Sequence, residues 1–238
     1  MNDNIIKAVM WKEKVCFMRN MFPIVLFYVV LIMGTQLFVS SLYIDLDFPY
    51  DILNSIFANN VIVMPAMVIV AVGSIIISQD MFEERREKAL DVLLAIGISP
   101  KKLWYGKYLF AILSSYLICL FFLIIYIFTI RMLFGFHVHL TFEEWFYTLI
   151  VTPSVAFFVL AITAFICWVF KQETTQIVMI IIPLTAYMIS FFLSDYLGAH
   201  DLKINILISI AVLVVTYSAL AIILMMVNHI SKERIIEW

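Results

Sequence analysis

The chain has 238 residues, 65% of them apolar and 13% charged, and its mean hydropathy is +1.07. Soluble domains carry roughly 45–50% apolar and about 25% charged residues, and a single core of this length could not hide so much apolar surface. With six glycines and three cysteines, disorder, a collagen repeat and a small disulfide scaffold are excluded as well, which leaves an integral membrane protein. The formal charge of −2 conceals an uneven distribution of Lys and Arg.

Residues 2–20 predict an interfacial helix. On a helical wheel Ile5, Ile6, Val9, Met10, Cys16 and Phe17 share one arc, while Lys7, Lys12, Lys14 and Arg19 lie outside it. Such a helix is expected to lie in the membrane surface with its lysines toward lipid phosphates. Glu13 interrupts the apolar arc, and reads either as a snorkelling group or as one that faces a partner.

Six apolar runs follow, at 22–43, 58–78, 105–130, 146–170, 175–193 and 204–228. Each can cross a hydrocarbon core of about 30 Å. Their continuity predicts helices rather than barrel strands, so the expected fold is all-α, one polytopic transmembrane domain over 1–238 with six spans. The first run is too long for a signal peptide and is expected to remain an uncleaved anchor.

Lys7, Lys12, Lys14 and Arg19 precede the first run. Arg85, Arg86, Lys88, Lys101, Lys102 and Lys107 cluster around the gap between the second and third. Lys171 follows the fourth, and Lys232 and Arg234 follow the sixth. Only Arg131 and Lys203 fall on the other side, so both termini are expected in the cytoplasm. Trp11, Trp104, Trp145, Trp168 and Trp238 stand at span ends, where an interfacial aromatic belt is expected. Cys16, Cys119 and Cys167 read as small apolar residues rather than a disulfide framework.

No ionisable side chain lies deep in a predicted span, which argues against an ion-coupled transporter or a charged-ring channel. Mild polar residues such as Gln36, Ser40, Ser74 and Thr163 read as helix–helix contacts. Pro65, Pro153 and Pro183 are expected to kink their helices. Met64, Met67, Met179 and Met188, with Tyr187, are candidates for an adaptable apolar substrate path.

The segment 80–107 carries much of the chain's charge. Residues 80–96 predict one helix, with Glu84 and Lys88 placed for an i,i+4 pair. Gly97 is expected to close it in the left-handed conformation. Ser99 and Pro100 then read as the N-cap and first residue of the next helix. The apolar second half, with Leu90, Leu93 and Leu94, needs a cover of membrane or protein.

Leu90-Asp91-Val92-Leu93-Leu94, the break at Ser99-Pro100 and Gly106-Lys107 at the start of the third span together resemble the cytoplasmic coupling region of type-2 ABC transporter permeases. That family's pattern runs Glu-x-Gly-Thr-Leu-Glu-x-Leu-Leu, then Pro, then Gly-Lys; here Lys88-Ala89 replaces Gly-Thr and Asp91 replaces Glu. The resemblance implies a half-transporter that pairs with a second copy or a related permease, and binds a separate ABC ATPase through a coupling helix within 80–100. Glu83, Glu84, Glu87, Leu90, Asp91, Leu93, Leu94, Pro100 and Lys101 are then the residues expected to meet the ATPase. ATP and Mg would sit on that partner, since no phosphate-binding loop can be assembled from the isolated glycines of this chain, and it is expected to be no enzyme itself. The resemblance extends to exporters of amphipathic peptides such as phenol-soluble modulins and bacteriocins, and to drug and lipid exporters. Lipids are the other expected partners, and nucleic acid is not one.

Two further patterns are weak. His137, His139, Glu143 and Glu144 contain metal-ligating types but no frame to hold them, and read as a solvated loop. Glu83-Glu84 resembles the paired glutamates of intramembrane CAAX-type proteases, but Lys88 stands where that pattern has arginine, and no intramembrane histidine accompanies it. A passive channel or scaffold is the remaining alternative.

Overall fold

Where water is absent a chain must satisfy its own backbone, and long apolar runs without breakers do so as helices. The computed structural model describes residues 3–45, 49–87, 89–95, 97–170, 177, 181–182, 184–185, 188 and 206–228, and every regular element among them is helical. Helix α1 (Asp3–Cys16) passes through a π-helical turn at Phe17–Met21 into α2 (Phe22–Asp45). Then come α3 (Tyr50–Arg86), the short α4 (Ala89–Ala95) and α5 (Pro100–Phe134). One turn of α6 (Phe142–Phe146) leads through a second π-helical turn, Tyr147–Val151, into α7 (Thr152–Val169); α8 is Ile206–Asn228.

Five stretches among the described residues are long and apolar enough to span a membrane: Ile5–Leu42, Tyr50–Glu84, Pro100–Phe134, Phe142–Val169 and Ser209–Val227. The predicted run at 175–193, with Met179, Pro183 and Tyr187, lies almost wholly outside the described residues.

Two boundaries differ from the sequence reading. The helix expected over 80–96 is two pieces. Its first half is the end of α3, because nothing between Ser78 and Asp80 stops a helix; its second half is α4, set apart by a turn at Glu87. At 1.5 Å per residue the 37 residues of α3 reach about 55 Å, well past a hydrocarbon core of about 30 Å. The second difference is in the N-terminal helix. Its apolar arc packs on α5, where Val9 and Phe17 are buried and Phe17 meets Phe110 edge-on at 6.0 Å.

Both π-helical turns precede a proline by two residues, Pro23 and Pro153. Proline cannot donate to the carbonyl four residues back and its ring crowds that carbonyl, so a widened turn absorbs the conflict without breaking the helix. At Pro153 the carbonyl four residues back is that of Leu149, and it accepts the Tyr116 hydroxyl at 3.2 Å. The expected kink is therefore a π-helical turn here, while Pro65 sits inside the uninterrupted α3.

Helix α3 is the axis of the bundle, its most apolar stretch almost entirely buried beneath α2, α5 and α7, whereas α8 is the most exposed of the described spans. Gly73 on α3 admits Leu160 of α7 so closely that a Cβ would lie 2.4 Å from its Cδ1. Sparse polar contacts link the helices: Ser40 to Tyr126 at 3.4 Å, Thr152 to the Ile62 carbonyl at 3.3 Å, and Tyr108 to the Phe157 carbonyl at 2.9 Å. Of the predicted aromatic belt, Trp11 is exposed, but Trp104 and Trp168 are buried within the protein. At the end away from α1, Phe57 and Phe136 pack at 4.9 Å, and the Tyr50 hydroxyl donates to the His137 carbonyl. Glu144 there closes a capping box with Thr141.

Candidate functional site

The charged residues of α1, the last turns of α3 and the first turns of α5 converge at one end of the bundle. Val9 makes this possible by resting directly on Gly106: a Cβ at that glycine would lie 2.6 Å from Val9 Cγ1. One helical turn beyond Val9 stands Glu13, and beside Gly106 stands Lys107, so the close approach of the two backbones brings this pair together at 3.0 Å. Helix α3 adds Asp80 and Glu84, one turn apart on the same face. The Lys107 ammonium bonds Asp80 and lies 2.9 Å from Glu84, while Lys12 reaches over from α1 to bond Glu84 as well.

Glu13, Asp80, Glu84 and Lys107 are all at least nine-tenths buried, and only Lys12 opens to the outside. Charges withdrawn from water persist when they neutralise one another, and Lys107 faces a carboxylate from each of three positions. Oxygens of Glu13, Asp80 and Glu84 lie within 4.8 Å of one another, as for a cation site. The Lys107 ammonium already occupies the centre of that triangle, so the cluster is an ionic joint and not a metal centre. Tyr108, next to this lysine, is stacked on Trp104 at 4.8 Å, which stiffens the start of α5.

The expected ATPase-facing residues divide. Glu87 is exposed, Glu83 half-buried and Lys101 exposed above the Tyr105 ring at 6.0 Å. Glu84 does not face outward: it is buried with Lys12 and Lys107 as partners, and Lys88, its expected i,i+4 partner, is outside the described residues. Leu94 is buried in the bundle core and Leu93 packs against it, while Val92 is exposed. The side chains of Leu90 and Asp91 are outside the described residues.

The break after α4 follows the local signals closely. Gly97 has φ +91; its N–H donates to the Leu94 carbonyl and that of Ile98 to the Leu93 carbonyl, the two bonds of a Schellman cap. Pro100 is buried at the first position of α5, but the Ser99 hydroxyl makes no capping bond. The Ser99 carbonyl instead accepts from Lys102 and Leu103.

Of the candidate substrate path, Met64 and Met67 are buried within α3, where Met67 Sδ accepts from Gln36 Nε2 at 3.8 Å. Met188 is exposed, and Met179 and Tyr187 are outside the described residues. Sequence reasoning missed the joint itself. The available signal was Glu13, a carboxylate centred on an otherwise apolar arc, together with Lys107 just inside the third predicted span.

A family model described as ABC-2 family transporter protein matches residues 33–235. No curated protein and no solved structure matches the chain.

Proposed function

The chain belongs to the ABC-2 family of transporter proteins, and from that premise we propose that it is the permease half of an ATP-driven exporter whose ATPase is a separate subunit. The family match over 33–235 carries this reading. Two features of the chain support its finer parts. It has no phosphate-binding loop, so nucleotide must be held elsewhere. Its basic end carries α4, whose Leu94 is anchored in the core while Val92 and the preceding Glu87 stay exposed, a rigid platform for a second protein.

The platform presents Glu87 and, by sequence, Asp91 to basic residues of the ATPase. A second copy of this chain or a related permease completes the transporter, since closed two-fold assembly is the common solution. The cargo is amphipathic or hydrophobic, with peptides of the modulin or bacteriocin kind preferred over drugs or lipids, because no ionisable side chain lies deep in a predicted span. The basic end faces the cytoplasm of a bacterium.

Co-purification with the ATPase encoded beside this chain tests the reading. The chain alone should show no ATP hydrolysis, and the complex should contain two copies of each subunit. Robust hydrolysis by the chain alone, or failure to hold the ATPase, would overturn it.

A further inference from the structure

We propose that His137 and His139 form a two-imidazole chelate for a late divalent transition-metal ion, on the exposed side of the segment that joins α5 to α6 at the end of the bundle away from α1. The site rests on the shape of that segment, on where its side chains fall, and on the chemistry of the pair.

The segment leaves α5 at Gly135, whose φ of +64 ends the helix, and enters α6 through Thr141, which is extended at φ −71 and ψ 166. Between these points α3 grips the main chain twice. The Tyr50 hydroxyl donates to the His137 carbonyl at 3.3 Å. The Asn54 amide donates to the His139 carbonyl at 3.4 Å and accepts from the His139 N–H at 3.0 Å. Tyr50 and Asn54 stand one turn apart on α3, about 6 Å along its axis. Two residues of extended chain cover about 6.6 Å, and two residues of helix only about 3 Å. The spacing of the two grips therefore matches an extended run through His137 and His139.

In an extended chain successive side chains point to opposite sides. Phe136 is buried, with its ring 4.9 Å from that of Phe57 and 4.7 Å from that of Tyr50. Val138 and Leu140 pack against the core as well. His137 and His139 alternate with them and are exposed, so both imidazoles leave the same side of the segment. The frame that the sequence pattern lacks is thus the main chain itself, pinned by α3 and by three apolar side chains.

Two imidazoles on one face, with Cα atoms about 6.6 Å apart, can close on a single ion at about 2.0 Å from each nitrogen. Imidazole suits Zn(II), Ni(II) and Cu(II), and affinity along that series is greatest for Cu(II). Glu144 does not join the pair, because its carboxylate accepts from the N–H and hydroxyl of Thr141 in the capping box. Water fills the other positions on the ion. The carboxylates of the ionic joint offer no rival site, since the Lys107 ammonium already stands among them.

The test titrates Cu(II) into the purified full chain, made without a histidine tag and with Cys16, Cys119 and Cys167 replaced, and follows it by electron paramagnetic resonance. One ion should bind per chain, with couplings to two imidazole nitrogens. His137→Ala and His139→Ala should each weaken binding by about a hundredfold, the low end of the gain from joining two weak ligands. The double variant should then fall little further. Without metal, the melting temperatures should stay at the starting value, because both side chains are exposed and the bonds to Tyr50 and Asn54 come from the main chain. Small, additive losses from the two single variants would mean separate adventitious contacts and overturn the proposal. So would uptake that is lost in His200→Ala or His229→Ala while both single variants keep it.

Discussion

Val9 and Gly106 meet where α1 crosses α5, and the space between them holds no further methyl group. A Cβ at position 106 would lie 2.6 Å from Val9 Cγ1 and 2.8 Å from Val9 Cβ, so it strikes the root of a branched side chain that cannot swing aside. Gly106→Ala should therefore push α1 outward at a cost of about 1–3 kcal/mol, as overpacking does. Val9→Ala in the same chain should recover only part of this, because Val9 Cβ also obstructs. Gly73→Ala offers the contrast: its Cβ meets the ends of Leu160, 2.4 Å from Cδ1, and those methyls can turn. Its loss should be the smaller of the two, and Leu160→Ala should remove most of it. Thermal melting of the four variants in detergent checks the order. An equal loss at both glycines would show that the α1 crossing is slack. The sequence showed Gly106-Lys107 as a unit and Glu13 as an anomaly, but not that they touch. They are 94 positions apart, and only the packed backbones bring the carboxylate to the lysine.

Among the helices, the features that depend on a few neighbouring residues were legible and those that depend on distant ones were not. Gly97 and Pro100 forced the stop and restart between α4 and α5, because a positive φ and a missing N–H act on the spot. The turn at Glu87 carries no such residue. The burial of Leu93 and Leu94 against the bundle requires the chain to fold back there, and a helix continuing straight from α3 would have carried those leucines into water. The prolines lie between the two cases: the sequence marked the disturbance at Pro153, but the remedy came from α5. There the Tyr116 hydroxyl occupies the Leu149 carbonyl, the acceptor that an N–H at position 153 would use in an ordinary helix. Tyr116→Phe should cost about 1 kcal/mol, the ordinary net worth of one hydrogen bond. In Pro153→Ala the restored N–H can take over that carbonyl, so the tyrosine change should cost much less. A double-mutant cycle on melting temperature reads the difference. Strict additivity would mean that Tyr116 and Pro153 do not share the carbonyl.

Taken whole, the molecule has two unlike ends joined by a largely apolar middle. One end gathers α1, the last turns of α3, α4 and the start of α5, and holds Lys7, Lys12, Lys14, Lys101, Lys102 and Lys107. The other is closed by aromatic side chains, by the capping box of α6, and by Asn54, which receives the His139 N–H at 3.0 Å. The excess of lysine and arginine at the first end should keep it in the cytoplasm, since moving such a cluster across the bilayer is what the positive-inside rule forbids. Single cysteines at His139 and Lys101 test this in a chain freed of its native cysteines. Both positions are exposed. His139 holds its place through main-chain bonds to Asn54, which survive a change of side chain, and Lys101 gives up only a distant contact with the Tyr105 ring. Neither substitution should disturb the fold. A membrane-impermeant maleimide added to intact cells should label position 139 at once and position 101 only after permeabilisation. The reverse pattern would put the ionic joint and α4 outside the cell, beyond the reach of any cytoplasmic ATPase, and the reading of α4 as its platform would fall with the topology.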